Sequence, residues 1–151
     1  MASTPAHPFT IQHIDHIVLR VASLERAIAF YCNVLDCKVA RRRDDLGLIH
    51  LSAGTSMIDL VALDGKLGLR GGAGPAKGGR NLDHLCLRVE PFDEAALTAH
   101  LAAHNIPIHG AAAVNFGAEG EGLSLYISDP DGNTVELKGP ATTSLKEKET
   151  K

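Results

Sequence analysis

Over residues 13–21 apolar and polar positions alternate, so that Ile17, Leu19 and Val21 fall on one side of an extended chain and His16, Val18 and Arg20 on the other. That is the two-residue period of a strand with one covered face. Ser23 then offers a helix N-cap, and Leu24, Ala27, Ile28, Tyr31, Val34 and Leu35 recur at helical spacing, which predicts a helix able to cover the apolar face of that strand. Strands follow at about 37–43, 46–52 and 56–63, with Asp44-Asp45 and Gly54-Thr55 as turns. The order is β-α-β-β-β.

The second half of the chain repeats the pattern. Ile14-Asp15-His16-Ile17-Val18-Leu19-Arg20-Val21 returns 68 residues on as Leu82-Asp83-His84-Leu85-Cys86-Leu87-Arg88-Val89. Behind it the periodicity predicts a helix from Asp93 to about His104 and strands near 106–115, 122–128 and 133–138, with Asp129-Pro130-Asp131-Gly132-Asn133 as a strong hairpin turn. The closing segments Met57-Ile58-Asp59-Leu60 and Thr134-Val135-Glu136-Leu137 stand 77 residues apart. Module two is therefore longer by the difference, which is most simply placed in a loop from Asn115 to Gly122 at the edge of a site.

Residues 64–81 between the modules are rich in glycine, without periodicity, and read as a flexible linker. Its glycines do not follow a strand and open a helix, which excludes a dinucleotide fingerprint. The expected fold is α+β. One domain spans 1–139, with module one at about 12–63 and module two at about 82–139, followed by a flexible tail at 140–151.

Strand alternation places four side chains on the face turned away from the helices: His16, Asp59, His84 and Glu136. Two imidazoles and two carboxylates buried on a concave face are costly unless paired, and a divalent cation offsets that cost. Nitrogen and oxygen donors without thiolate suit Ni, Co, Zn, Mn or Fe and leave positions open for substrate. Arg20 and Arg88 share that face and are placed to hold a substrate carboxylate. His50 is a candidate proton carrier beside the site.

Charge and composition narrow the partners. With a formal charge of −3 and a pI near 6.2, the chain of 151 residues has no global electrostatic reason to bind nucleic acid or an anionic membrane. No apolar run approaches the length of a membrane span, and the first ten residues lack a secretion signal. Cys32, Cys37 and Cys86 are odd in number and unpaired in spacing, which suits reduced thiols and a cytoplasmic location. A small-molecule substrate is the expected partner.

The paired D-H-[IL]-x-L-R-V strands, the D-P-D-G-N turn and the closing V-E-L-K resemble the vicinal oxygen chelate superfamily, also called the glyoxalase, bleomycin-resistance and dioxygenase superfamily, over about residues 12–139. The resemblance implies two β-α-β-β-β modules forming a curved mixed sheet around a metal cleft, commonly in a homodimer. Its metal ligands fall on His16, Asp59, His84 and Glu136. Asp59 departs from the pattern, because glyoxalase-like members carry the longer Glu or Gln there.

The leading activity implied is that of a divalent-metal-dependent lyase or isomerase similar to glyoxalase I. It acts on a vicinal-oxygen substrate such as a thiol hemithioacetal, from a thiol such as glutathione, through an enediolate, with Glu136 and Asp59 moving the proton. Ser124 and Tyr126 fall where related enzymes place substrate-facing hydroxyls, Tyr126 as a catalytic group and Ser124 as a substrate contact. The alternatives implied are a thiol transferase of the fosfomycin-resistance kind, an Fe(II) extradiol dioxygenase, and a non-catalytic protein that binds a drug or metabolite.

Overall fold

The computed structural model describes residues 7–144. In module one, β1 (His16–Val21) leads through the Ser23 cap into a short helix, α1 (Leu24–Ile28), which widens into a π-helical stretch over Ala29–Val34. The Ser23 hydroxyl accepts from the Arg26 amide, satisfying one of the donors a helix start leaves open. Strands β2 (Lys38–Arg43), β3 (Leu48–Ala53) and β4 (Ser56–Ala62) follow as an antiparallel run, and β4 closes against β1 in parallel.

Module two repeats this with β5 (His84–Arg88), α2 (Glu94–Ala103), β6 (Ala113–Gly117), β7 (Gly120–Ser128) and β8 (Thr134–Lys138); a two-residue strand, β9 (Thr143–Ser144), adds to β7. The strand orders β1-β4-β3-β2 and β5-β8-β7-β6 are the same permutation. The fold is α+β as expected, but the strands form two separate sheets, since β1 and β5 do not pair.

The helix-side faces of both sheets share one core. Leu19, Val21, Tyr31, Leu51 and Leu60 of module one form a single buried cluster with Leu101, Leu125, Ile127, Val135 and Leu137 of module two. Polar contacts register the two halves: Tyr31 donates to Asp129 at 2.7 Å, the Ala22 amide to Asp131 at 2.8 Å, and His100 Nε2 lies 2.7 Å from the Val34 carbonyl. The predicted hairpin turn is thus also a docking element. Among the described residues no helix is long and apolar enough to cross a membrane.

Two local expectations are corrected. The segment 106–112, interrupted by Pro107 and by Gly110 with φ 73°, makes a single backbone bond to β7, from the His109 amide to the Tyr126 carbonyl at 2.9 Å, and no ladder, so β6 begins only at Ala113. The chain from Asn115 to Gly122 is not an open loop, because Gly117 pairs with Gly120 across the two-residue turn Ala118-Glu119. The added length of module two lies chiefly between α2 and β6, residues 104–112, where module one has only 35–37.

The linker also carries structure. It forms a 3-10 turn at Gly68–Gly71 that approaches β4 so closely that a Cβ on Gly68 would lie 1.8 Å from the Ala62 carbonyl oxygen. Arg20 donates to the carbonyls of Gly68 at 2.9 Å, Ala73 at 3.3 Å and Gly72, while Arg80 donates to the Asp131 carbonyl at 2.8 Å. A guanidinium offers five fixed donors, so Arg20 can hold three carbonyls at once. Between β1 and this anchored segment lies a cleft of about 350 Å³, lined by Val18, Arg20, Pro75, Arg80, Leu82 and Asn133 among others.

Candidate metal centre

Each module presents an imidazole and a carboxylate side by side. In module one, parallel pairing sets Asp59 opposite Val18, one pleat from His16, and His16 Nε2 stands 4.0 Å from Asp59 Oδ2. In module two, Glu136 is opposite Cys86, and His84 Nε2 stands 3.9 Å from Glu136 Oε2. Both histidines have the other nitrogen engaged in the same way: Nδ1 lies 2.7 Å from Asp15 in one case and 2.7 Å from Asp83 in the other. A neighbouring carboxylate on Nδ1 fixes the tautomer that leaves Nε2 free to ligate.

These pairs fit a divalent ion by three observations. A lone pair facing a carboxylate oxygen at 4 Å is unfavourable without a cation between them, and donors sharing one ion through bonds of about 2.1 Å lie no more than about 4.2 Å apart. Asp59 and Glu136 are each 5% exposed, a depth at which unpaired charge is expensive. Asp59 Oδ1, moreover, is buried without a hydrogen bond among the described residues. His50 Nδ1 lies 3.0 Å from that oxygen, inside ion-pair range but off the direction of a hydrogen bond.

The two carboxylates are held very differently. Glu136 Oε1 accepts from Tyr126 at 2.7 Å and from Ser124 at 3.0 Å, and the Cys86 thiol donates to the same carboxylate. The Asn115 amide donates in turn to Ser124, which fills a lone pair of that hydroxyl and turns its single proton toward Glu136. Burial alone would raise the Glu136 pKa, but the donors Cys86, Tyr126 and Ser124, with His84 nearby, outweigh it and hold the group below the usual carboxylate range. The same bond pushes the Tyr126 phenol up to about 12, and burial followed by the carboxylate pushes the Cys86 thiol up to about 12.

The sequence-predicted residues divide as follows. His16 and Asp59 come together, as do His84, Glu136, Ser124 and Tyr126. Arg20 is engaged by the linker, and Arg88 by Glu119 at 2.8 Å and Glu90 at 3.1 Å, so each guanidinium already has partners within the protein. Among the described residues no three His, Cys, Asp or Glu side chains of one chain converge as ligands of a single ion. One chain presents two separate imidazole–carboxylate pairs.

Sequence reasoning did not assign a role to Asn115, whose bond to Ser124 is a diagonal contact that strand parity alone does not reveal.

The model of the Glyoxalase/Bleomycin resistance protein/Dioxygenase superfamily matches residues 13–137. The chain belongs to that superfamily. Among curated proteins it is 31% identical over 127 residues to a catechol-2,3-dioxygenase of Bacillus subtilis, covering 83% of this chain and 40% of the relative, so it spans well under half the length of that enzyme. Among solved structures it resembles a virulence protein of Salmonella typhimurium, 25% identical, with a TM-score of 0.70 over 88% of this chain and 100% of the other. A lactoylglutathione lyase of Agrobacterium tumefaciens, 22% identical and covering 85% and 94% of the two chains at a TM-score of 0.61, shares the superfamily fold.

Proposed function

We propose that the protein is a divalent-metal-dependent lyase or isomerase of glyoxalase type, acting on a small substrate with vicinal oxygens. His16, His84 and Glu136 are the residues that would hold the ion, with Asp59 the adjacent carboxylate. A divalent ion there supplies Lewis-acid stabilisation of negative charge on the substrate's oxygens. The observation that carries the reading is the unequal anchoring of the two acids.

A carboxylate clamped by two hydroxyls and a thiol keeps its charge and its position, which suits a ligand. Asp59, shorter and bare at Oδ1, has the freedom and the unfilled acceptor that a general base needs. In this reading Asp59 removes the proton next to the substrate carbonyl and returns it to the neighbouring carbon, and His50 steadies the charge on Asp59 between the two transfers. That revises the division of labour in which Glu136 leads the proton transfer.

A complete ligand set requires both modules to face one cleft. Since the two half-sites of one chain do not converge, the reading takes the site to lie between two copies in a homodimer, with His16 and Asp59 from one and His84 and Glu136 from the other. Mixing inactive His16→Ala and His84→Ala proteins tests this. Hybrid dimers regain one intact site, so metal uptake and turnover return to about a quarter of native in a statistical mixture. No recovery after demonstrated subunit exchange would place the site within one chain.

A second reading, ring cleavage of a catechol with Fe(II), is favoured by the 31% identity to the dioxygenase and by the Tyr126 hydroxyl on the carboxylate ligand. Assays of hemithioacetals and catechols with each of Ni, Co, Zn, Mn and Fe separate the two: turnover confined to catechol with Fe(II) and oxygen would displace the first.

A further inference from the structure

Helix α2 carries a second set of nitrogen donors that the proposed reaction leaves unused. His100 stands in its last turn and His104 caps it, four residues apart and therefore one above the other on the same side of the helix. The His104 amide bonds back to the His100 carbonyl at 3.3 Å, so the turn that joins them is closed. Both residues are exposed, and their ring centroids are 4.7 Å apart with the planes inclined at 61°.

The fold sets the tautomer of His100. Its Nε2 lies 2.7 Å from the Val34 carbonyl oxygen, which can only accept, so Nε2 carries the proton and the neutral ring keeps its lone pair on Nδ1. A backbone carbonyl on the far N–H is the usual support of a metal-binding imidazole, because it fixes the ring and makes the other nitrogen a better donor. The His104 ring makes no hydrogen bond among the described residues, which leaves a lone pair available there as well.

Two further features favour a cation at this place. An ion held by two imidazoles through bonds of about 2.1 Å, at an angle between square and tetrahedral, sets their ring centroids roughly 4.6–5.3 Å apart. The observed spacing falls in that range. In addition, α2 has ten residues, none of them Lys or Arg, and its last carbonyls form the negative end of the helix dipole, where positive charge is stabilised.

We propose that His100 and His104 form a second metal site, for a divalent ion of the Ni, Cu or Zn kind, separate from the candidate centre on the sheets. Imidazole nitrogens suit these ions. Among the described residues no third His, Cys, Asp or Glu joins the pair, so water completes the coordination. The site sits where the modules meet: α2 belongs to module two and Val34 to module one, and an ion on Nδ1 polarises the ring and strengthens the Nε2–H bond that spans them.

The experiment is calorimetric titration of the full-length His16→Ala/His84→Ala protein with Ni(II), because that variant lacks both imidazoles of the candidate centre. It is expected to keep one Ni(II) per chain. Adding His104→Ala, or His100→Gln, whose amide can still donate to Val34, is expected to weaken binding at least about tenfold, since a single imidazole then replaces a chelating pair. Unchanged affinity in either triple variant overturns the site. Ni(II) is also expected to raise the melting temperature of the double variant and not of the triple variants; an equal rise in all three places the ion elsewhere and overturns the proposal.

Nuclear magnetic resonance of native protein gives a reading free of substitutions. During a Ni(II) titration the ring-proton signals of His100 and His104 are expected to broaden together, in a step distinct from that of His16 and His84. If they broaden only along with His7, His13 and His109, as exposed histidines in general, the metal is adventitious only and the proposal falls. If His16 and His84 stay sharp while His100 and His104 broaden, the reading of the candidate centre fails and the α2 site stands.

Discussion

Position by position, the two modules hold the same places with different chemistry. Val18, Asp59 and His50 lie abreast across β1, β4 and β3; Cys86, Glu136 and Tyr126 lie abreast across β5, β8 and β7. One pleat further on, Arg20, Val61 and Leu48 answer to Arg88, Lys138 and Ser124. In both modules the histidine one pleat earlier, His16 or His84, stands within 4.0 Å of the carboxylate. What has diverged is the layer of neighbours: three donors aim at Glu136, and one histidine out of hydrogen-bond alignment stands beside Asp59. The duplicated backbone makes the pairs; the neighbours around them have diverged.

The sharpest break of that comparison exchanges charge for amide at each acid. Glu136→Gln is expected to weaken Ni(II) or Co(II) binding by at least about 100-fold, because it removes a ligand and leaves two hydroxyls and a thiol without their anion. Asp59→Asn is expected to leave metal affinity within about tenfold of native while turnover on the identified substrate falls about 100- to 10,000-fold, the usual weight of a general base. Metal titration beside steady-state kinetics reads both. Equal losses of metal in the two variants would show that the acids are equivalent ligands.

Loosening Glu136 without touching it gives a smaller effect. Tyr126→Phe and Ser124→Ala each remove one donor and are expected to cost about 10- to 100-fold in metal affinity, with Asn115→Ala following in the same direction through Ser124. The pH dependence has a definite sign. A carboxylate held below its ordinary range contributes stability that is complete above about 4.3 and is lost as pH falls through the lowered value. Without the hydroxyls its pKa rises, so the metal-free double variant is expected to begin acid unfolding at higher pH than native protein, read by circular dichroism across a pH series. An unchanged onset would show that the hydroxyls do not set the charge of Glu136.

The histidine strands, the common face of each histidine and its module's carboxylate, and the order of elements were legible because each rests on a local period: two along a strand, about 3.6 along a helix, and the repeat itself. Arg20 and Arg88 were not legible in the same way. Alternation puts both on the ligand face, yet Arg20 ends among carbonyls 48 to 53 residues away and Arg88 on Glu119 across the sheet. The partners of a long side chain are decided by whatever the tertiary fold brings within reach, which no period encodes. The missing strand at 106–112 has a plainer cause, since Pro107 removes a ladder donor where apolar content alone suggested a strand.

The smallest expected effect tests a feature the two pairs share, the aspartate that precedes each histidine. Asp15 holds the His16 imidazole above its usual range, with burial working against it and Asp59 adding to it. A raised value means that the contribution to stability is complete below about 6.5 and disappears as pH rises through the folded value. In metal-free protein, Asp15→Asn should therefore melt slightly below native at pH 5 and together with it at pH 8. With metal present two consequences oppose each other. Loss of the Nδ1 partner frees the ring and weakens binding by about tenfold at pH 8, where Asp83→Asn, which removes an equal 2.7 Å contact, should match it. Near pH 6 the gap between Asp15→Asn and native should narrow, because a less basic His16 yields its proton to the metal more readily. A gap that stays constant with pH would mean that Asp15 orients His16 without tuning its charge.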